Sequence, residues 1–376
     1  MSKTESLTNN TKTFFALLRA GLWEAEVRIL QFGKVDFAEI YRLAKEQSVV
    51  GLVAAGLDHV VDTKIPKKDL LQFIGATLQM EERNKAMNYF IGVIVDKMRK
   101  EGIYTLLVKG QGVALCYERP LWRSSGDVDF YLSDKAFQKA KSFFRPLVQS
   151  IDPDNNHAEH INMQYDPWVV EIHANQYCGL SYRIDKVLSQ IHHDIFYGGN
   201  VRSCELGGTQ VFLPSANNDL LIVFTHFLKH FYKGGLGLRQ ICDWCRLLWT
   251  YRKVIDNKLL HSRIRKMGLM SEWKAFSAYA VLYLGMPKDA MPMYDDSQCW
   301  ERKAKRIQAF IMAVGNFGHN RDSSFYGKYP YLIRKACSLW RKIGDIAYHI
   351  RIFPFDSIRF SLGIVFNGFR AVAHRE

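Results

Sequence analysis

The chain has 376 residues, 48% of them hydrophobic and 23% charged, which supplies an ordinary globular interior and excludes wholesale disorder. That length accommodates two or three domains, or one core with helical additions. Lysine and arginine number 51 against 37 aspartates and glutamates, a net charge of +14, which favours polyanionic partners such as nucleotides, RNA or an anionic membrane face without choosing among them.

The first thirteen residues are polar and lack the apolar h-region of a signal peptide. With seven scattered cysteines, an odd number, this points to a reduced, cytoplasmic protein. Residues 11–23 and 36–44 carry apolar side chains at helical intervals, and Asp36 with Glu39 three residues on suits a helix start. Residues 78–100 form the longest expected helix, burying Met80, Ala86, Phe90, Val93 and Met98. Lys97, Arg99 and Lys100 in its last turn complement the negative end of the helix dipole, and Gly102 ends it. Residues 1–100 thus read as a helical region.

Residues 104–108 (YTLLV) have the length and composition of a buried strand, which Lys109-Gly110-Gln111-Gly112 interrupts before a short helix expected over 113–117. After a polar loop with Pro120, Arg123 and Gly126, the run Gly126-Asp127-Val128-Asp129-Phe130-Tyr131-Leu132 reads as a strand. Alternation places Asp127 and Asp129 on one face. Adjacent carboxylates repel unless a cation lies between them, and hard divalent ions such as Mg²⁺ take such oxygen ligands together with substrate phosphates. A helix is expected over 135–144 with Ser133-Asp134 as its cap, then a turn at 152–156. Two strands over 157–165 and 168–173, joined at Asp166-Pro167, follow. Glu171 and His173 share a face of the second strand; Glu171 either shares a cation with Asp127 and Asp129 or faces solvent from an edge strand.

Residues 180–212 read as a short helix, a turn at Gly198-Gly199-Asn200 and a hairpin about Gly207-Gly208. A strongly helical half begins at Leu213-Pro214-Ser215. In it His226 and His230, four apart, share a helix face; with no H-E-x-x-H order and no third ligand they read as core or substrate-facing histidines rather than zinc ligands. The glycine-rich residues 233–239 match neither a Walker loop nor a dinucleotide fingerprint, and Cys242-x-x-Cys245 has no second pair at zinc spacing. Residues 315–322 form a polar loop. From Lys328 onward nine basic residues meet three acidic ones, and Ile358, Leu362, Val365, Phe366, Phe369 and Val372 recur at helical spacing. That segment either docks on its own domain or lies on an anionic membrane. No apolar run reaches the roughly 18 residues of a membrane span. The resulting division is 1–100 helical, 101–212 the α/β core, 213–327 helical, and 328–376 a basic helical segment.

Lys109-Gly110 after a strand, Arg123, Gly126-Asp127-Val128-Asp129 and Val170-Glu171-Ile172-His173 together resemble the DNA polymerase beta superfamily of nucleotidyltransferases. More narrowly they resemble a little-characterised bacterial nucleotidyltransferase family, a likeness extended by Leu213-Pro214, His226, His230, Gly237-Leu-Arg239-Gln240, Asp243-Trp244 and Gly315-Asn-Phe-Gly318. The resemblance implies an α+β fold, a small mixed sheet flanked by N-terminal and C-terminal helical regions. It implies Asp127, Asp129 and Glu171 as catalytic groups and ligands of two Mg²⁺ ions, with Mn²⁺ as the substitute. Lys109, Gly110, Gln111, Arg123, His173, His226 and Arg239 would bind the substrate, although Lys109 and Arg123 can equally be structural partners of the carboxylates. The implied reaction moves a nucleotidyl group from an NTP to a hydroxyl on RNA, tRNA, a protein or a small molecule. The alternatives are an inactive nucleotide- or RNA-binding module of a toxin–antitoxin or defence system, and phosphoryl transfer on a related scaffold. The chain departs from the usual Gly-Gly or Gly-Ser at the strand-to-helix turn by carrying Gly110-Gln111.

Overall fold

A computed structural model describes residues 8–151, 160–175, 177–316 and 331–361. Four helices precede the sheet: α1 (Asn9–Trp23), α2 (Phe37–Glu46), α3 (Val50–Asp58) and α4 (Lys67–Lys100). Helix α2 begins as its sequence dictates, with the Asp36 carboxylate accepting from the amides of Ala38 and Glu39 at 3.0 and 3.4 Å. Helix α4 is longer than its periodicity suggests, 34 residues, because it serves two cores in turn. Phe73 near its start joins the helical core, whereas Met87, Ile91, Ile94, Val95 and Met98 lie under the sheet.

The sheet comprises β1 (Thr105–Val108), β2 (Asp127–Leu132), β3 (Ser150–Ile151), β4 (His160–Tyr165), β5 (Trp168–His173), β6 (Val201–Leu206) and β7 (Thr209–Pro214). Their order is β3-β4-β5-β2-β1-β7-β6. Strand β2 runs parallel to β5 and antiparallel to β1, and β1 runs parallel to β7, so the sheet is mixed. Gly207 and Gly208, both at positive φ (55° and 77°), close the β6–β7 hairpin at the expected place.

Alternation divides the sheet into two unlike faces. Leu107, Val128, Phe130, Leu132, Val170, Ile172, Val211 and Leu213 form one apolar face, covered by α4 and by Phe137, Ala140 and Phe144 of α6 (Asp134–Phe144). The other face carries Asp127, Asp129, Glu171 and His173 and looks towards the helical half.

That half contains α7 (Tyr182–Phe196), α8 (Ala216–Lys233), α9 (Leu238–Tyr251), α10 (Asn257–Met267), α11 (Met270–Leu284), α12 (Gln298–Val314) and α13 (Tyr331–Ile350). Its core is aromatic: Phe224 and Phe227 of α8, Trp244 of α9, and Trp273 and Phe276 of α11 are all fully buried. Cys242 and Cys245 lie in the same interior as free thiols, with burial pushing both upward in pKa. Among the described residues no helix is long and apolar enough to cross a membrane. The expected apolar stripe from Leu362 to Val372 lies outside the described residues.

Candidate active site

The site begins with a forced turn. Lys109 leaves β1 at φ 57°, ψ −142°, and Gly110 follows at φ 37°, so the chain enters α5 (Gly110–Ala114) at once rather than at the expected residue 113. A non-glycine residue at positive φ is sparsely populated and persists only when its surroundings hold it there. Here the side chain supplies the hold: the Lys109 ammonium donates to Asp129 Oδ1 at 2.6 Å. Gly112 packs closely on the sheet, where a Cβ would stand 2.8 Å from Leu213 Cδ2 and displace that side-chain tip. Helix α5 is only five residues long, so it adds little dipole of its own.

Strand register then assembles the acidic centre. Asp129 lies directly opposite Glu171 in the parallel β2–β5 ladder, and Tyr131 opposite His173. Directly opposed residues share a face, which brings three donor atoms together. His173 Nε2 is 3.2 Å from Asp129 Oδ1 and 3.4 Å from Glu171 Oε2, and the ligand atoms of all three residues lie within 4.8 Å of one another. Asp129 is buried at 2% exposure; Glu171 and His173 are half-buried. Asp127 lies two residues up the same face, outside that three-residue cluster.

The electrostatics follow from this crowding. Burial alone would raise the Asp129 carboxyl, but Lys109 and His173 hold it far below the usual carboxylate range. Burial likewise disfavours the charged Lys109 and His173, and here too the carboxylates win, Asp129 acting on both and Glu171 also on His173, so both pKa values are raised. Asp127 is raised first by the charge of Asp129 and then by burial. The neighbouring Asn162, opposite Glu171 on β4, has its side-chain oxygen buried without a partner. Two carboxylates and an imidazole form a donor set that suits a divalent cation, with the Lys109 ammonium resting against Asp129 Oδ1.

Helices α8 and α9 oppose this centre with cations. His226, Lys229, His230 and Lys233 recur at three- and four-residue intervals along one stripe of α8. His226 is pushed well below its ordinary pKa, by burial first and then by Lys109. His230 falls to about 3, by burial and then by Lys109, Lys229, Arg239 and Lys233. Both rings are therefore neutral, and their Nε2 atoms stand 3.0 Å apart in a hydrogen bond. Lys229, Lys233 and Arg239 form no direct salt bridge with any described residue, but the two lysines act on the nearby Asp185 carboxyl, and Arg239 lies close to Asp127 and Asp243. Arg239 donates from Nη1 to the Ser124 carbonyl at 2.9 Å, but its Nε is buried without a partner. Its pKa is lowered by burial and then by Arg123.

Two of the sequence candidates have other commitments. Arg123 forms a buried fork with Asp243, Nε to Oδ1 and Nη2 to Oδ2, both at 2.7 Å, and Tyr117 Oη donates to the same carboxylate. Gln111 donates to Asn84 Oδ1 at 3.2 Å and accepts from Ser125 Oγ at 3.2 Å. Asn84 in turn donates to the carbonyls of Leu121 and Arg123 at 2.7 and 2.8 Å, pinning the loop that delivers Asp127. Asn84, Asn162, Lys229 and Lys233 were not expected as site or supporting residues, and Asp243, part of the motif that extends the resemblance, was given no role. The α8 lysines had a signal, their spacing from His226 and His230; the others are joined to the site only through the fold. A separate cleft of about 740 Å³, lined by Trp23, Arg28, Glu118, Arg246 and Trp249, contains none of these groups.

Comparison with known proteins gives the chain a family. No curated protein sequence matches the chain significantly. Among solved structures it is similar to an antigenic nucleotidyltransferase-like protein from Paracoccidioides brasiliensis, at 13% identity and a TM-score of 0.30, over 49% of this chain and 90% of that one. The sequence model of a family described as "Uncharacterised nucleotidyltransferase" matches residues 33–285, well over half the chain and all seven strands. The chain belongs to this family of uncharacterised nucleotidyltransferases.

Proposed function

We propose that the protein is a metal-dependent nucleotidyltransferase of the polymerase beta type that transfers a nucleoside monophosphate from an NTP to a hydroxyl acceptor. The observation that carries this is a charge arrangement: the carboxylate cluster on the sheet has Arg239 of α9 close enough to act on Asp127, and that buried cation has no salt bridge among the described residues and an unpartnered Nε. A bound triphosphate with its divalent ion matches that split, metal towards the acids and phosphate oxygens towards the bases.

Asp127, Asp129 and Glu171 would hold the metal, and Arg239, Lys229 and Lys233 the phosphates. A divalent ion supplies charge stabilisation for the leaving pyrophosphate and lowers the pKa of the acceptor hydroxyl. The acceptor oxygen attacks the α-phosphorus, the bond to pyrophosphate breaks, and the hydroxyl proton passes to a carboxylate. Asp129 is buried and engaged by Lys109 and His173. Glu171, half-buried at the cluster's edge, is open to an incoming hydroxyl. Lys109 would leave Asp129 for a phosphate when the metal arrives. A basic chain with an NTP substrate fits the cytoplasm and an RNA or tRNA acceptor better than a small neutral one. The Lys109–Asp129 pair also supports a second reading, a binding module held in a metal-free state.

Thermal unfolding with each NTP and Mg²⁺ or Mn²⁺ separates the readings when paired with radiolabel transfer from α-³²P-NTP. We expect stabilisation of about 2.7 kcal/mol at a hundredfold excess over Kd, lost in Asp129→Asn. Stabilisation without label transfer to RNA, tRNA or protein would favour the binding module; no stabilisation by any NTP would defeat both.

A further inference from the structure

We propose that His173 is itself a metal ligand, and that the centre is a mixed carboxylate–imidazole site selecting a transition-metal dication of the Mn²⁺ class over Mg²⁺. This rests on the metal centre proposed above and assigns its ligand set and preferred ion.

The geometry points there first. Neighbouring ligands of an octahedral ion bound at 2.0–2.1 Å stand about 3.0 Å apart. His173 Nε2 is 3.2 Å from Asp129 Oδ1 and 3.4 Å from Glu171 Oε2, so these atoms need only small movements to share one ion. Asp127, which the D-x-D spacing makes the obvious companion of Asp129, is not in that cluster.

The ring is also held by its neighbours in the sheet. His173 stacks on His160 of β4, centroids 5.8 Å apart and planes at 20°, and meets the edge of Tyr131 at 5.1 Å and 72°. Both neighbours are fixed by strand register, since His160 and Tyr131 each pair directly with His173. The packing fixes the plane of the ring, and its contacts with Asp129 and Glu171 turn Nε2 into the cluster. Asp129 Oδ1 already attracts a positive charge, since the Lys109 ammonium contacts it at 2.6 Å.

The chemistry then selects the ion. Mg²⁺ is hard, demands oxygen ligands and keeps its waters. Imidazole nitrogen adds little to its affinity but raises that of first-row transition ions, increasingly along the Irving–Williams series. Mn²⁺ combines tolerance of nitrogen with the octahedral geometry and carboxylate affinity the other two ligands require.

The test uses the full-length protein and the metals themselves. Mn²⁺ binding is measured from loss of the free-ion EPR signal, with Mg²⁺ as competitor, in wild type, His173→Asn and His173→Asp, the last an all-carboxylate site. We expect the Mn²⁺-over-Mg²⁺ preference to fall by at least about tenfold in His173→Asp, the size of effect that losing even an outer partner has at protein metal sites. Pulsed EPR of Mn²⁺-loaded wild type should show nitrogen coupling that changes on ¹⁵N-histidine labelling, a readout that needs no variant to fold. Bound Mn²⁺ without that coupling, or an equal preference in wild type and His173→Asp, would overturn the ligand assignment while leaving the metal centre standing. Absence of any divalent binding to folded wild type would overturn both.

Discussion

At the scale of single residues, the site turns on what each cation faces. Arg123 and Arg239 are the same residue type, both close to Asp127, and the sequence offers no way to tell their roles apart. What separates them is Asp243, 120 residues beyond Arg123, which takes the whole Arg123 fork. Arg239 is left with one carbonyl and a buried Nε that nothing satisfies. Breaking a buried pair strands a charge and costs about 3–5 kcal/mol, so Arg123→Ala should unfold at markedly lower denaturant whether or not nucleotide is present. Arg123→Lys should recover little, since a lysine cannot reproduce the fork. Arg239→Ala removes an unpaired buried cation and should keep or gain stability while losing most of the NTP-dependent stabilisation. Denaturant titration with and without NTP reads both; a large basal loss in Arg239→Ala would make that residue structural. The acids were more legible, because period-two alternation in two short strands fixes their faces. Their register was not legible: only the β2–β5 pairing sets Asp129 against Glu171 and leaves Asp127 beside the cluster.

At the scale of elements, the N-terminal helices hold the loop that delivers Asp127. Helices α1 and α3 cross at backbone contact, where a Cβ on Gly21 would fall 1.8 Å from the Leu52 carbonyl oxygen and one on Gly56 2.0 Å from that of Leu17. The same helix α3 presses Gly51 onto the turn before Arg123, a Cβ there lying 1.9 Å from the Trp122 carbonyl oxygen. No side chain fits at that distance and the clash is with backbone, so Gly51→Ala must move either the helix or the loop. We expect it to lower basal stability and also to weaken the response to metal and NTP, because Asn84 and Gln111 hold the same loop through Leu121, Arg123 and Ser125. Gly75→Ala on α4 is the matched control. Its Cβ meets nothing within 4 Å, and alanine is the better helix former by about 0.5–1 kcal/mol, so it should stabilise without touching nucleotide binding. Thermal unfolding with and without ligand distinguishes a local loop effect from a global one; a Gly51→Ala protein with normal ligand response would show that α3 does not position the site.

At the scale of the whole molecule, the order of elements was largely legible, because helical and alternating periodicities, the glycine hairpin and the Asp36 cap are local signals. Two features were not. Helix α4 begins at Lys67 rather than near residue 78, since its two ends serve different cores and no single stripe runs along it. The short strand β3 exists only because its residues pair with β4. The packing between the last described residues and the helical half is equally invisible in sequence, and it leaves an acid in the interior. Glu272 of α11 is fully buried and accepts from Tyr232 Oη of α8 at 3.0 Å, with its other oxygen unpartnered. Burial, reinforced by Asp356, pushes its pKa up to about 8, against weaker opposition from Tyr232 and Arg359; Lys303 lies on the same side. A carboxyl whose folded pKa lies above its unfolded value of about 4.3 binds more protons when folded, so it costs stability as pH rises between those values. Below pH 4.3 the term vanishes, and above pH 8 it is complete. Glutamine copies the neutral acid at every pH. Glu272→Gln should therefore match wild type below pH 4 and grow more stable relative to it by up to about 1.4 kcal/mol per pH unit from there towards pH 8. Unfolding both proteins across that range checks the slope. A constant difference between them would mean that Glu272 is ionised throughout and that a cation the fold supplies, Arg359 or Lys303, has closed on it.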